Sequence, residues 1–326
     1  MADFIPVILL TGALGSGKTT LLQRLLTDPA LSDTAVLINE FGEVGLDHHL
    51  LERIDETVVL LRSGCVCCTI RGELSDAMRD LHDRRDAGTV PPFARLAIET
   101  TGLADPYPIV STLHADPVLR HHYRLGNVVT TVDAVNAQGQ IGREPEASRQ
   151  IAVADHLVVT KADLVGPDTV TALLAQLRAI NPAAVLWQGA GSVDADALLR
   201  VRAADQFWTE PPGHRHHHAV DVRSFCLVLD APLDWTMFGV WLTMLLHRHG
   251  TEILRVKGIL DVAGASFPVA IHGVQHLVHP PTHMAAWPDG LRQSRLVFIV
   301  RGLDPALIER SLHAFGIVPQ TRAVAA

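Results

Sequence analysis

From the N-terminus to about residue 200, short unbroken apolar runs alternate with stretches whose apolar residues recur at helical spacing. The runs predict buried strands over Ile5–Leu10, Thr34–Asn39, Thr57–Leu61, Phe93–Ile98, Asn127–Val132, His156–Val159 and Ala184–Trp187. Helical spacing predicts helices over Thr20–Leu26, Glu73–Arg85, Thr169–Ile180 and Asp194–Val201. In the second of these, Leu74, Ala77, Met78 and Leu81 share one face, and Pro91-Pro92 lies beyond its end. Strands alternating with helices predict an α/β fold whose mostly parallel sheet is covered by helices.

The pattern changes at Thr209–His218, where Pro211-Pro212-Gly213 and a histidine run show no periodicity. The expected organisation is a first domain over 1–208, a histidine-rich linker over 209–220 and a second domain over 221–326. In the second domain, Ser224–Leu229, Ile253–Val262, Val269–Leu277 and Arg295–Arg301 are strand-like, while Trp235–His249 and Pro305–Phe315 are helical. That mixture predicts a smaller α+β domain.

The first strand runs into Gly12-Ala13-Leu14-Gly15-Ser16-Gly17-Lys18-Thr19, which fits the phosphate-loop pattern G-x-x-x-x-G-K-[ST] and is followed by a helix. Strand, glycine turn and helix point backbone N–H groups and a helix N-terminus at an anion. An ordinary glycine turn is the alternative, and the matching context on both sides disfavours it. Gly12, Gly15, Ser16, Gly17, Lys18, Thr19 and Thr20 are the expected nucleotide contacts. Lys18 would reach the β- and γ-phosphates, and the Thr19 hydroxyl would hold Mg²⁺. With this loop the first domain becomes a P-loop NTPase. Glu99-x-x-Gly102 ends a buried strand, where an acidic residue can support Mg²⁺ and a glycine N–H can sense the γ-phosphate. A capping carboxylate is the bland alternative. Lys18, Thr19 and Glu99 are thus the candidate catalytic residues. Thr160-Lys161-x-Asp163 follows another strand. A carboxylate at Asp163 can accept from guanine's N1–H and amino group, a donor pair that adenine lacks, and Lys161 would cover the base. The usual form of this motif begins with Asn rather than Thr.

Composition narrows the partners. The net charge of −8 argues against nucleic acid. No apolar run approaches the ~20 residues that span a bilayer. The apolar run near the N-terminus leads into the phosphate loop and has no basic stretch before it, so it is not expected to be a signal peptide. The expected location is the cytoplasm, with no membrane partner.

Three of the four cysteines form Cys65-Val66-Cys67-Cys68. Adjacent cysteines make only a strained disulfide, whereas closely spaced thiolates can converge on a borderline cation. Zn²⁺ is the first expectation and Co²⁺ the second. Candidate further ligands are Glu40, Glu43 or Glu73, a histidine, or water; a buried or redox-active thiol cluster is the alternative. There are 18 histidines. The run at 214–218 is either a loose metal contact or a solvated linker, and His272, His276, His279 and His283 suit structural roles better. Cys226, in a strand of the second domain, suits a place in its core.

Together these segments resemble the CobW family of P-loop GTPases, relatives of the HypB and UreG nickel-insertion GTPases. The resemblance rests on Gly12–Thr19, Asn39-Glu40-Phe41-Gly42-Glu43, the CxCC at 65–68, Glu99–Pro106 and Thr160-Lys161-Ala162-Asp163. In the second domain it rests on Arg255–Leu260 and Gly273-Val274-Gln275-His276, so it covers nearly the whole chain. Thr at the head of the base motif is a familiar variant in that family. The resemblance implies a GTPase that hands metal to a client metalloprotein or cofactor-assembly protein, with GTP, Mg²⁺ and zinc (or cobalt) as ligands. It puts Glu40 in a switch segment and Cys65, Cys67 and Cys68 at the metal. Many members carry a longer histidine-rich tail or insert, so storage of metal in quantity is not implied here. Two rivals remain from other classes: a P-loop small-molecule kinase, and a non-catalytic zinc sensor that uses GTP as a structural ligand.

Overall fold

The computed structural model describes residues 4–41, 58–63, 69–199, 222–288 and 290–317. Two compact units make up the chain: Met1–Leu173 with Val185–Val201, and Leu174–Ala184 with Arg202–Ala326. The expected linker at 209–220 lies outside the described residues.

The first unit is built on seven strands: β1 (Ile5–Gly12), β2 (Thr34–Phe41), β3 (Val58–Ser63), β4 (Arg95–Glu99), β5 (Tyr123–Asp133), β6 (His156–Thr160) and β7 (Val185–Gln188). Their order is β3-β2-β4-β1-β5-β6-β7, and every pairing is parallel. An all-parallel sheet must be covered on both faces, which explains the continuous apolar runs. Ile8 and Leu10 of β1 pack with Leu21 and Leu22 of the helix Lys18–Leu26 and with Ala195 and Leu198 of the helix Ala195–Leu199. The alternate residues Val7 and Leu9 therefore face the other side. The helix Thr69–Asp86 buries Leu74, Met78 and Leu81, and its Met78 carbonyl accepts from the Tyr123 hydroxyl at 3.1 Å.

Where pattern and structure differ, the reasons are local. The helix at 69–86 starts four residues before its expected start at Glu73, because apolar spacing marks a buried face and not a helix end. The helices Tyr107–Ala115, Ala137–Arg143 and Pro145–Val153 were not expected. Two of them carry a proline in their first turn, where its missing N–H costs nothing. β5 begins at Tyr123, not Asn127, since Tyr123, Arg124 and Leu125 pair with Ile5, Pro6 and Val7 of β1. The helix expected over Asp194–Val201 is Ala195–Leu199, with Asp194 accepting from the Asp196 N–H at its start.

The second unit holds an antiparallel sheet, β8 (Val222–Leu229), β9 (Ile253–Leu260), β10 (Val269–Val274), β11 (Leu277–Val278), β12 (Thr282–His283) and β13 (Ser294–Arg301). Its order is β11-β10-β9-β13-β8, with β12 beside β10. The expected single strand Val269–Leu277 is a hairpin: Gln275 turns the chain at φ 51° and β11 folds back on β10. The helices Trp235–His249 and Pro305–Ala314 pack Phe238, Trp241, Leu245, Ile308 and Leu312 onto Phe225, Leu227, Val256 and Phe298. Cys226 is half-buried on the face of β8 opposite Phe225, Leu227 and Leu229, outside the core expected for it, and burial pushes its thiol up to about 11. Among the described residues no helix is long and apolar enough to cross a membrane.

Candidate nucleotide site

Four neighbouring strands, β4, β1, β5 and β6, deliver Glu99, Gly12, Asp133 and Thr160 at their C-terminal ends. This is the edge at which doubly wound sheets bind ligands. The loop after β1 needs its glycines. Gly15 and Gly17 sit at φ 72° and 88°, and Gly17 is the left-handed residue that opens the helix Lys18–Leu26. A Cβ on Gly12 would meet the Thr131 hydroxyl oxygen at 2.4 Å and the Thr131 carbonyl at 2.5 Å, so the first position admits only glycine.

Lys18 lies almost buried over this loop, and its ammonium donates to the Gly12 and Ala13 carbonyls at 3.0 and 3.1 Å. Burial pushes its pKa down while the Glu99 carboxylate pulls it back up. The Thr19 hydroxyl donates to Glu99 Oε1 at 2.7 Å, and Glu99 is only 5% exposed. A buried carboxylate beside a threonine hydroxyl and an ammonium offers the hard oxygens that Mg²⁺ takes. Gly102 closes the same side: a Cβ there would stand 2.4 Å from the Leu14 nitrogen. Gln150 fixes that turn by donating to the Gly102 and Ala104 carbonyls at 3.3 and 3.0 Å.

On the other flank, the Thr160 hydroxyl donates to the Ser16 carbonyl at 2.7 Å, which ties the end of β6 to the loop after β1. Lys161 adopts φ 54° and donates to the Gly15 carbonyl at 2.8 Å and to Asp133 at 2.7 Å. Its stem is thereby held across the loop. Asp163 stands exposed in the short 3₁₀ turn Ala162–Leu164, open to a ligand. Thr20 is exposed in the first helical turn.

The structure thus brings together Gly12, Gly15, Ser16, Gly17, Lys18, Thr19, Glu99, Gly102, Thr160 and Lys161. It also adds partners that sequence reasoning missed. Thr131 shares a hydrogen bond of 2.6 Å with Ser16 across the loop. Asp133 is buried and accepts from Lys161, from Asn136 Nδ2 at 2.9 Å and from the Val135 N–H at 2.9 Å. Burial alone would raise its carboxyl, but those donors outweigh it and hold the pKa below 3.8. The available signal was the polar residues Thr130, Thr131 and Asp133 closing an otherwise apolar strand. Of the expected metal ligands, Cys65, Cys67, Cys68 and Glu43 lie outside the described residues. Glu40 is placed by its backbone, paired with Arg62 in β3.

The nucleotide-binding domain described as CobW/HypB/UreG matches residues 6–188, more than half the chain. The chain belongs to this family. The C-terminal domain described as that of the cobalamin synthesis protein CobW matches residues 222–316. The zinc chaperone YjiA of Escherichia coli is 35% identical over 304 residues, covering 90% of this chain and 93% of that one. The zinc chaperone CobW of Pseudomonas aeruginosa is 29% identical over 349 residues, with 95% and 91% covered. The crystal structure of the Zn(II)-bound YjiA GTPase from E. coli superposes with a TM-score of 0.74 at 31% identity, covering 96% and 99% of the two chains. The fold is therefore that of a P-loop NTPase followed by a CobW-type C-terminal domain.

Proposed function

We propose that this chain is a GTP-dependent metal chaperone, which binds zinc, or cobalt in its place, through Cys65, Cys67 and Cys68 and hands it to a client protein as GTP is hydrolysed. The observation that carries this reading is the strand order β3-β2-β4-β1. Glu40 lies near the end of β2, which is paired to β4 with Ile38 beside Glu99. β3 ends at Ser63, two residues before Cys65. At about 4.8 Å between strands, the chain enters the CxCC segment about 10 Å from the strand bearing Glu99 and about 15 Å from the phosphate loop. Loops that answer to the nucleotide and loops that carry metal ligands thus leave adjacent strands at one sheet edge. The names of YjiA and CobW as zinc chaperones support zinc as the cargo. The gap between the two family matches, residues 189–221, supports a domain boundary at 209–220.

In this reading Lys18 neutralises phosphate charge, and Thr19 with Glu99 would hold Mg²⁺, which supplies further positive charge to the phosphates. Lys161 covers the guanine base and Asp163 accepts its paired donors. Gly102, packed on the phosphate loop, offers its N–H to the γ-phosphate. No arginine finger or catalytic glutamine is placed by motif, so turnover is slow. Mg-GTP tightens the site of Cys65, Cys67, Cys68 and Glu40 or Glu43, and loss of the γ-phosphate loosens it. The test is a zinc titration with a non-hydrolysable GTP analogue and with GDP. The expected difference is roughly 5–150-fold, corresponding to a coupling of ~1–3 kcal/mol, and it should vanish in a Cys67→Ser, Cys68→Ser variant. Equal zinc affinity in both nucleotide states would sink the coupling. Absence of multiple-turnover hydrolysis would favour a sensor.

A further inference from the structure

The nucleotide site leaves the His121-His122 pair unused, and the fold adds a third imidazole to it. His82 lies on the helix Thr69–Asp86, while His121 and His122 close the short helix Leu119–His122. The rings of His82 and His122 lie 3.9 Å apart between centroids at an interplanar angle of 38°, and those of His121 and His122 lie 5.1 Å apart. Asp86, one helical turn beyond His82, brings a carboxylate oxygen to 3.6 Å from His82 Nε2. On its inner side His82 meets the edge of Tyr123 at 6.0 Å, and its Nδ1 is buried with no hydrogen-bond partner among the described residues. A buried polar atom left unsatisfied is destabilising, so an apolar residue would serve better here unless the ring has another use.

We propose that His82, His121 and His122, with Asp86, form a second divalent-metal site that takes a borderline cation such as Zn²⁺. Imidazole with one carboxylate selects zinc, nickel or copper over Mg²⁺ and Ca²⁺, which prefer all-oxygen shells. The ligands come from two helices, and His82 with Asp86 stands at the i, i+4 spacing that puts two side chains on one helical face. His82 is 13 positions beyond Thr69, or about 20 Å along the axis from the start of the helix. Among the described residues no three such groups already surround one point. Closure takes a rotation of the exposed His121 and a turn of the His122 ring out of its stack.

The test uses the full chain with Cys65, Cys67 and Cys68 changed to Ser and with His214, His216, His217 and His218 changed to Ala. In that background neither the thiolates nor the histidine run can hold the metal, so failure of the cysteine reading leaves this result unaffected. Zinc chloride is titrated against a chromophoric chelator, with magnesium chloride as control. We expect one zinc bound per chain, weakened about tenfold or more by His82→Gln or His122→Gln, a loss at least as large as removal of an outer-shell partner produces. His121→Ala, at an exposed position, gives the same loss without threatening the fold, and circular dichroism verifies that each variant is folded. No zinc bound in the background, or zinc affinity unchanged by all three histidine substitutions, overturns the proposal.

Discussion

Asp133 shows how a single side chain can organise this site without touching a phosphate. It is buried, it draws the Lys161 ammonium across the phosphate loop, and it takes two further hydrogen bonds from Asn136 and the Val135 N–H. Replacing Asp133 by Asn removes the charge that Lys161 answers to and presents a donor where only donors converge. The expected cost is about 1–3 kcal/mol of stability at neutral pH, with weaker guanine-nucleotide binding as Lys161 loses its anchor. The pH dependence has a definite sign. The carboxyl's pKa is depressed in the folded protein, so its stabilisation is complete above the ordinary value of 3.8 and is lost as pH falls through the lower folded value. Denaturant unfolding of wild type and Asp133→Asn should therefore differ by a constant amount from pH 5 to 8 and converge in acid. A constant difference down to pH 2 would show that the carboxylate charge is not the source. This residue was only half legible in sequence. A polar end to an apolar strand is visible, but the choice of Lys161 as partner requires β5 beside β6 with Asp133 opposite Thr160.

At the scale of elements, the two sheets obey different rules. The parallel sheet of the first unit is buried on both faces, so its strands appear as plain apolar runs and were found with small end errors. The antiparallel sheet of the second unit is held by a core in which Phe298, fully buried, stacks on Phe225 at 5.5 Å and meets Trp241 edge-on at 6.4 Å. Aromatic pairs of this kind add to the area they bury. Phe298→Ala should cost about 3–5 kcal/mol, because neighbours held by two helices and three strands collapse poorly into the space. The measurement is the shift in guanidinium midpoint, read by tryptophan fluorescence. A loss below about 1 kcal/mol would mean that the core repacks. Short elements escaped the sequence for a physical reason. The hairpin at Gln275 depends on a left-handed φ at a residue that gives no signal of it.

For the molecule as a whole, nucleotide and fold are linked by mass action. A ligand that binds only the folded chain stabilises it by about 2.7 kcal/mol at a hundred times its Kd. Mg-GDP should therefore raise the melting temperature of the wild type and leave that of Lys18→Ala unmoved, since the alanine variant keeps the loop but loses its ammonium. An equal rise in both proteins, followed by calorimetry, would remove Lys18 from nucleotide binding. The sequence alone determined the fold class, the phosphate loop, the Glu99–Gly102 and Thr160–Asp163 motifs and the family, because each is a local pattern in which few residues can meet the geometric need. Strand order, by contrast, was decided only in three dimensions. It is set by which strands bury which faces, and it alone puts β2, which carries Glu40, beside the strand of Glu99, with β3, which ends two residues before Cys65, next in line. The same holds for the packing of His82 against His122, 40 residues away in sequence. Contacts between distant residues come from burial shared across the whole sheet, and no local spacing encodes them.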